Sequence, residues 1–128
     1  MEAFRLTHKK NACTIEALVL PVGADLVVSL WGGSVPHVGA VALAIPRPSL
    51  SNPARMSATS SVLTSPGHKE DDIVKPFAEK LAAALACTVS VSAGMHWELL
   101  PAGEIETVHL LCAELAQQVI DAIRNQRT

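Results

Sequence analysis

The order in which the hydrophobic period changes along the chain constrains the fold more than any single motif does. Apolar and polar residues alternate, as in half-buried strands, through most of the chain before residue 65 and again in one later segment. Two other segments carry apolar residues at helical spacing. The predicted strands cover residues 3–9, 13–20, 26–31, 38–45, 57–64 and 88–95, and the predicted helices cover residues 69–86 and 103–127. The sequence therefore predicts an α+β fold.

Short connections join the first three predicted strands, with turn signals at Lys10-Asn11 and at residues 21–25. Such connections favour an antiparallel meander. A chain of 128 residues is long enough to bury one core. We therefore expect a single domain over residues 1–128, with a mainly antiparallel sheet of about six strands and two helices packed on one face.

One predicted strand has an unusually flat face, formed by Ala40, Ala42 and Ala44. A helix, a planar ring or a second copy of the sheet would each fit against it, and the need to cover one sheet face favours the helix. The other sheet face carries few charges, so we expect it to be buried in a two-fold homodimer.

Proline and serine complicate the middle of the chain. Three prolines predict that residues 46–56 form an exposed loop, and the serine-rich strand that follows would suit a sheet edge or a ligand-facing position. Pro76 leaves two interpretations of the first helix. A start at Lys69 would place the proline where it bends the helix, whereas a start near Asp72 would nearly accommodate it.

Composition argues against several partners. The net charge of −2 gives no basic surface of the kind that nucleic-acid binders use. The apolar runs are too short to cross a membrane, and residues 1–5 lack the features of a signal peptide, so we expect a cytoplasmic protein. Cys13, Cys87 and Cys112 lie in apolar surroundings and are interpreted as small buried hydrophobes.

Histidines next to glycines are the strongest functional signal. His37, His68 and His96 each lie beside or close to a glycine at the end of a predicted strand or helix. His68 and Lys69 also fall at a helix start, where backbone N–H groups and the helix dipole favour an anion. Two such loops on a small domain predict a ligand pocket.

Each of these residues also has a purely structural interpretation. The histidines would then hydrogen-bond within their own loops, and Gly32-Gly33 would make a hairpin. Trp31 and Trp97 are typical of core or interface anchors, with flavin stacking as the alternative. His8 and His109 are assigned to strand and helix surfaces. Zinc held by the three loop histidines, with Glu70 or Asp71 as a base, is a further possibility.

Three motifs together resemble a known family. They are Gly32-Gly33-x-x-Pro36-His37-x-Gly39-Ala40-Val41-Ala42, then Pro66-Gly67-His68-Lys69-Glu70-Asp71, then Ala93-Gly94-x-His96. This order resembles the small prenylated-flavin chaperones, which are accessory D subunits of UbiD-type hydroxyarylic acid decarboxylases, and the resemblance runs from about Asp25 to the carboxyl terminus. It implies a non-enzymatic protein that binds prenylated FMN, made by a flavin prenyltransferase, and helps to deliver it to the decarboxylase for maturation. It also implies a fold similar to proteasome assembly chaperones, paired as a dimer.

On physical grounds the expected cofactor-binding residues fall into two groups. Gly67, His68 and Lys69 would bind the phosphate at the helix start. Gly32, Gly33, Ser34 and His37 would face the ring or ribityl chain, with His96 nearby. We expect neither catalytic residues nor a metal. The alternatives from other classes are a small metal-dependent hydrolase that uses His37, His68 and His96, and a scaffold that binds only proteins.

Overall fold

The computed structural model describes residues 1–67 and 70–127, which form six strands and two helices. The elements are β1 (Phe4–Lys10), β2 (Cys13–Val22), β3 (Asp25–Gly33), β4 (Ala40–Pro48), β5 (Met56–Thr64), α1 (Asp71–Leu85), β6 (Val89–His96) and α2 (Glu104–Arg127). Their order confirms the predicted α+β class.

All six strands belong to one sheet, in the order β1-β2-β3-β6-β4-β5. Four of the neighbouring pairs are antiparallel, and β3 with β6 is parallel. The parallel pair arises because α1 carries the chain across one face of the sheet and returns β6 between β3 and β4, as a crossover connection requires. The sheet is therefore mainly antiparallel with a parallel pair at its centre.

Both helices cover the same face of the sheet and form the core with it. α1 packs over β4, β5 and β6, and α2 packs over β1 and β2 and against α1. Ala40, Ala42 and Ala44 are buried beneath α1, which confirms that a helix covers the flat alanine face. Within residues 1–67 and 70–127, no helix combines the length and hydropathy needed to span a bilayer.

The prediction that residues 46–56 form a loop is wrong at both ends of this segment. β4 continues to Pro48 and β5 begins at Met56, so the two strands stay paired through Pro46↔Ala58 and Pro48↔Met56. Pairing of β4 with β6 ends at Ala44. Beyond that point β4 has a partner on one side only, and a proline that donates no N–H costs little on the free side.

The first helix begins at Asp71, close to the later of the two predicted starts. Pro76 lies in its second turn, on the exposed side. The helix continues beyond the proline to Leu85, where Ala86 adopts a left-handed conformation and ends it.

The opposite face of the sheet is open and largely aliphatic. Leu18, Leu20 and Val22 of β2 are 39%, 46% and 54% exposed, and Val41, Leu43 and Ile45 of β4 are 36%, 46% and 53% exposed. Serines lie between these two groups, at Ser29, Ser90 and Ser92. At one end of this face Trp31 is held by two side chains. Its Nε1 donates to Glu16 Oε2 at 3.0 Å, and the Arg5 guanidinium lies 5.3 Å from its ring centroid.

All three cysteines are buried free thiols, as the sequence predicts. Burial raises the pKa of Cys112 to about 12 and also raises the pKa of Cys13 and of Cys87. For Cys13 the nearby Glu104 carboxylate adds to this effect. Since the thiolate is the reactive form, none of the three is a nucleophile near neutral pH.

Candidate functional site

A pocket of about 510 Å³ opens where β6 ends and both helices begin. The end of the sheet contributes Met95, His96 and Trp97, and the loop before β4 contributes Val35 and His37. The helices contribute Glu70, Ile73, Ile105, Val108 and His109. Among the described residues the wall is thus mostly apolar, with three histidines and one carboxylate among the polar groups.

The loop before β4 is held to β6 by backbone hydrogen bonds. Ser34 N–H donates to the His96 carbonyl at 2.8 Å, and Gly39 N–H donates to the Ala93 carbonyl at 2.8 Å. Between these two bonds the His37 carbonyl lies directly over Gly94, where a Cβ atom would overlap it. The loop can approach β6 this closely only because residue 94 has no side chain.

Gly33 makes a similar close approach at the start of the same loop. Its φ is +81°, and a Cβ there would overlap the backbone of His96. Gly33 is therefore required by the chain's own packing, whatever else binds nearby.

His37 and Glu70 form a partly buried pair at the pocket. His37 Nε2 lies 3.0 Å from Glu70 Oε1, and His37 Nδ1 lies 3.0 Å from the Val35 carbonyl oxygen. Glu70 is only 7% exposed, and its Oε1 also lies 3.5 Å from the Met95 backbone nitrogen. The Val35 carbonyl oxygen is an acceptor and so faces an N–H at Nδ1, while the Glu70 carboxylate faces Nε2 on the other side of the ring. The pair therefore fixes the orientation of the imidazole ring.

Glu70 connects three separate segments. It stands at the amino-terminal cap of α1, where its carbonyl accepts from the Ile73 and Val74 backbone N–H groups at 3.0 and 2.9 Å. Its side chain reaches His37 in the loop and Met95 in β6. The carboxylate lies over Gly39, where a Cβ atom would come within 2.6 Å of Oε2. Glu70 thus holds the loop, α1 and β6 together at the pocket.

Trp97 forms part of the pocket wall and separates the pocket from a second cleft. Its ring lies beside Gly32, with Cζ2 at 3.4 Å from the position of a Cβ there. The cleft beyond it has a volume of about 320 Å³ and is lined in part by Trp31, Gly32 and Gly33. A Cβ at Gly32 would touch the indole only at ordinary contact distance, but it would come within 2.7 Å of the Thr14 carbonyl oxygen, so the close packing of β2 and β3 is what requires glycine here.

The structure brings together some of the residues predicted for the site and separates others. His37, Gly67 and His96 line the pocket. Gly32 and Gly33 line the second cleft instead, and Ser34 is an exposed residue whose Oγ lies 3.3 Å from the His96 carbonyl oxygen. His68 and Lys69 lie outside the described residues.

Sequence reasoning missed several members of the pocket. Glu70 was considered only as a possible base, and Trp97 mainly as an anchor. His109 is exposed on its helix, as expected, but it also lines the pocket. A signal for the helical members does exist, because Val108 and His109 follow Ile105 by three and four residues and so lie on the same side of the helix as Ile105.

The described part of the chain contains no group of three side chains able to hold a metal ion. Of the three histidines considered for zinc, His37 is engaged by Glu70, His96 is exposed, and His68 is outside the described residues.

A family model for the prenylated flavin chaperone LpdD-like domain matches residues 9–124. The chain belongs to this family. Members of the prenylated flavin chaperone LpdD-like family are chaperones, which is consistent with a non-enzymatic protein and with a role that involves a prenylated flavin and a partner enzyme. No curated protein matches the sequence.

The fold of this prenylated flavin chaperone LpdD-like chain is shared with a solved structure. A chain from the "Crystal Structure of a Novel Chaperone Complex for Yeast 20S Proteasome Assembly" superposes with a TM-score of 0.66 at 12% identity. The match covers 97% of this chain and 95% of that chain. At this identity the likeness concerns the fold alone, and it confirms the predicted similarity to proteasome assembly chaperones.

Proposed function

We propose that this chain binds prenylated FMN in the pocket at the end of the sheet and assists its delivery to, and maturation in, a UbiD-type decarboxylase. The observation that carries the proposal is a mostly apolar pocket of about 510 Å³ in a chain of a prenylated flavin chaperone family. Pockets of this size and lining are typical of small-molecule and cofactor sites. The chain's part is to bind and shield the flavin.

The residues of the pocket fit such a ligand. Aliphatic side chains and the indole of Trp97 suit a large ring system, and the histidines offer N–H groups to carbonyl and phosphate oxygens. His37 supports the ring or ribityl chain, with its orientation set by Glu70. His96 and His109 also line the pocket and are exposed to solvent.

We place the phosphate at the start of α1, beside Gly67. Glu70, Asp71 and Asp72 already bring negative charge to this helix start. Phosphate binding there consequently depends on cationic residues, for which the chain supplies His68 and Lys69. Their contribution is to offset the carboxylates and to add charge-assisted hydrogen bonds.

Replacing Lys69 with Ala is expected to weaken prenylated FMN binding about ten-fold, the loss of roughly one charge-assisted hydrogen bond. Anaerobic calorimetry measures the affinity of each protein for prenylated FMN and for plain FMN. Lys9→Ala, which removes an equal charge from an exposed position on β1, serves as the control and should bind as the wild type does. Equal affinity in Lys69→Ala and the wild type would move the phosphate elsewhere, and no binding of either flavin to the wild type would end the carrier proposal.

A flavin carrier needs a source and an acceptor. We infer that a flavin prenyltransferase supplies prenylated FMN and that the UbiD-type decarboxylase receives it, in the cytoplasm, where three free thiols are stable. Adding the loaded protein to the apo-decarboxylase should restore decarboxylation faster than adding free prenylated FMN. Binding to the decarboxylase without any flavin affinity would support a protein-only scaffold instead.

We further propose that the open sheet face is the interface of a homodimer. The aliphatic groups on β2 and β4 lie on either side of the central serines, so a two-fold axis through the centre would set β2 of one copy against β4 of the other. On this face the charged side chains Arg5, Lys9 and Glu16 lie on the side of β1 and β2, and Arg47 lies on β4 beyond Ile45. Such an arrangement is self-complementary and buries the aliphatic groups of β2 and β4 from both copies.

Replacing Leu43 with Asp should convert the dimer to a monomer, because the change places a charge within the aliphatic group on β4 that the proposed interface buries. Light scattering after size exclusion measures the mass. Leu50→Asp is the matched control: Leu50 is 89% exposed in the loop between β4 and β5 and should leave the dimer intact. A monomeric wild type at micromolar concentration would contradict the proposal.

A further inference from the structure

Trp97 differs from the other large aromatic residues of the chain in where its ring lies. Phe77 is buried in the core, Phe4 packs at the edge of the core on β1, and Trp31 is held by Glu16 on the open sheet face. Among the described residues that line the pocket, Trp97 is the one with a large aromatic ring. One edge of its ring lies beside Gly32 at the end of β3.

The helices provide a different kind of surface on their side of the pocket. Ile73 and Val108 are 7% and 6% exposed, so they form part of the core where it meets the pocket. Ile105, on the first turn of α2, is 55% exposed although it is a large aliphatic residue. Ile105 therefore presents aliphatic surface at the pocket that a ligand could cover.

These two surfaces match the two parts of a prenylated flavin. The isoalloxazine is planar and aromatic and stacks favourably on an indole. The prenyl-derived unit is aliphatic and gains from contact with aliphatic side chains. We propose that Trp97 is the stacking surface for the flavin ring and that Ile105, with Ile73 and Val108, contacts the prenyl-derived unit and so selects prenylated FMN over FMN. This inference rests on the proposed function, and it adds the residues that determine specificity.

The test separates ring stacking from prenyl selection. Plain FMN, which is fluorescent, loses its emission when an indole stacks on it, because electron transfer requires ring contact. We expect the emission of FMN to be quenched on binding to the wild type and to Trp31→Leu. Binding to Trp97→Leu should be roughly ten-fold weaker, the value of an aromatic contact and its buried area, and the bound emission should be retained. Trp97→Phe keeps an aromatic ring in the pocket wall, and it replaces Trp97→Leu in the experiment if that variant does not fold.

Prenyl selection is measured with a variant on the exposed helix surface. Ile105→Ser should reduce the preference for prenylated FMN over FMN by about ten-fold, equivalent to two buried methylene groups, and leave FMN affinity nearly unchanged. Leu110→Ser is the matched control, since Leu110 is 56% exposed on the same helix and does not line the pocket. Its preference should equal that of the wild type.

The outcomes distinguish this inference from the proposed function. If the wild type binds neither flavin, the proposed function fails. If the wild type binds prenylated FMN while Trp97→Leu and Trp97→Phe keep full affinity and full quenching, the stacking role is excluded and the carrier function stands. If Ile105→Ser and Leu110→Ser both retain the wild-type preference, the helices do not select the prenyl-derived unit.

Discussion

Replacing Gly94 with Ala is expected to destabilise the protein by about 3 kcal/mol or more, because the new methyl group has no space. A Cβ at this position would overlap the carbonyl group of His37. That group is backbone, and the loop that carries it is fixed to β6 by the Ser34 and Gly39 hydrogen bonds. Relief of the overlap therefore requires the whole loop to move away from the sheet, with loss of the pocket edge.

Chemical denaturation of the variant measures this loss of unfolding free energy. Gly103→Ala is the matched control, since a Cβ at residue 103 meets nothing within 4 Å and the residue lies just before α2. This control should change stability by about 0.5 kcal/mol or less. A Gly94→Ala variant as stable as Gly103→Ala would show that the loop does not approach β6 as closely as described.

Replacing Glu70 with Ala is expected to lower the unfolding free energy by about 2 kcal/mol and to weaken flavin binding. The carboxylate is almost fully buried and faces both His37 and the Met95 N–H, so its removal leaves these groups without that acceptor. This expected loss of unfolding free energy is smaller than is usual for breaking a fully buried ion pair, because the His37 side chain is 24% exposed. Flavin affinity falls because the imidazole loses the partner at Nε2 and is oriented less firmly toward the ligand.

Gly39→Ala provides an independent route to the same effect. Its methyl group would meet the Glu70 carboxylate, which is the movable end of a side chain, so the carboxylate is displaced while the backbone stays. The two substitutions should therefore not add: Gly39→Ala is expected to cost about 1 kcal/mol in the wild type and much less in the Glu70→Ala background. Asp72→Ala, in the exposed first turn of the same helix, controls for loss of charge near the helix dipole.

The coupling between Gly39 and Glu70 is the decisive quantity. Additive costs in the double variant would mean that the carboxylate does not lie over Gly39. A Glu70→Ala protein with wild-type stability and flavin affinity would mean that the His37 pair positions nothing. Chemical denaturation of the wild type, Gly39→Ala, Glu70→Ala and the double variant measures the coupling. A flavin titration of each protein shows whether Glu70 positions His37 for binding.

The motifs in which a histidine lies near a glycine predicted some of the residues that line the pocket and missed others. His37 and His96 were predicted from the loops they occupy, and both line the pocket. Gly33 was also predicted as a ligand contact, yet its positive φ and close approach to His96 show a requirement of the fold itself. Glu70 and Trp97 were not predicted for the site, because their surroundings come from segments distant in sequence, the loop before β4 for Glu70 and the end of β3 for Trp97.

Local pattern was sufficient for the elements and their buried faces. The period of two or of 3.6 depends on neighbouring residues only, so the six strands, the two helices and the alanine face beneath α1 all followed from the order of amino acids. The ends of β4 and β5 could not be predicted from the local pattern. Pro46 and Pro48 are tolerated because β6 no longer pairs with β4 there, and that condition depends on another strand.

The position of β6 shows where local pattern stops being sufficient. Alternation predicts that residues near 89–96 form a strand, but it does not say which strands become its neighbours. That choice depends on α1 crossing the sheet and packing over β4 and β5, since the crossover brings the returning strand in parallel beside β3. The same step brings Gly94 under His37 and Trp97 beside Gly32. The strands and helices thus follow from contacts between neighbours in sequence, whereas the pocket exists only because the tertiary fold brings distant segments together.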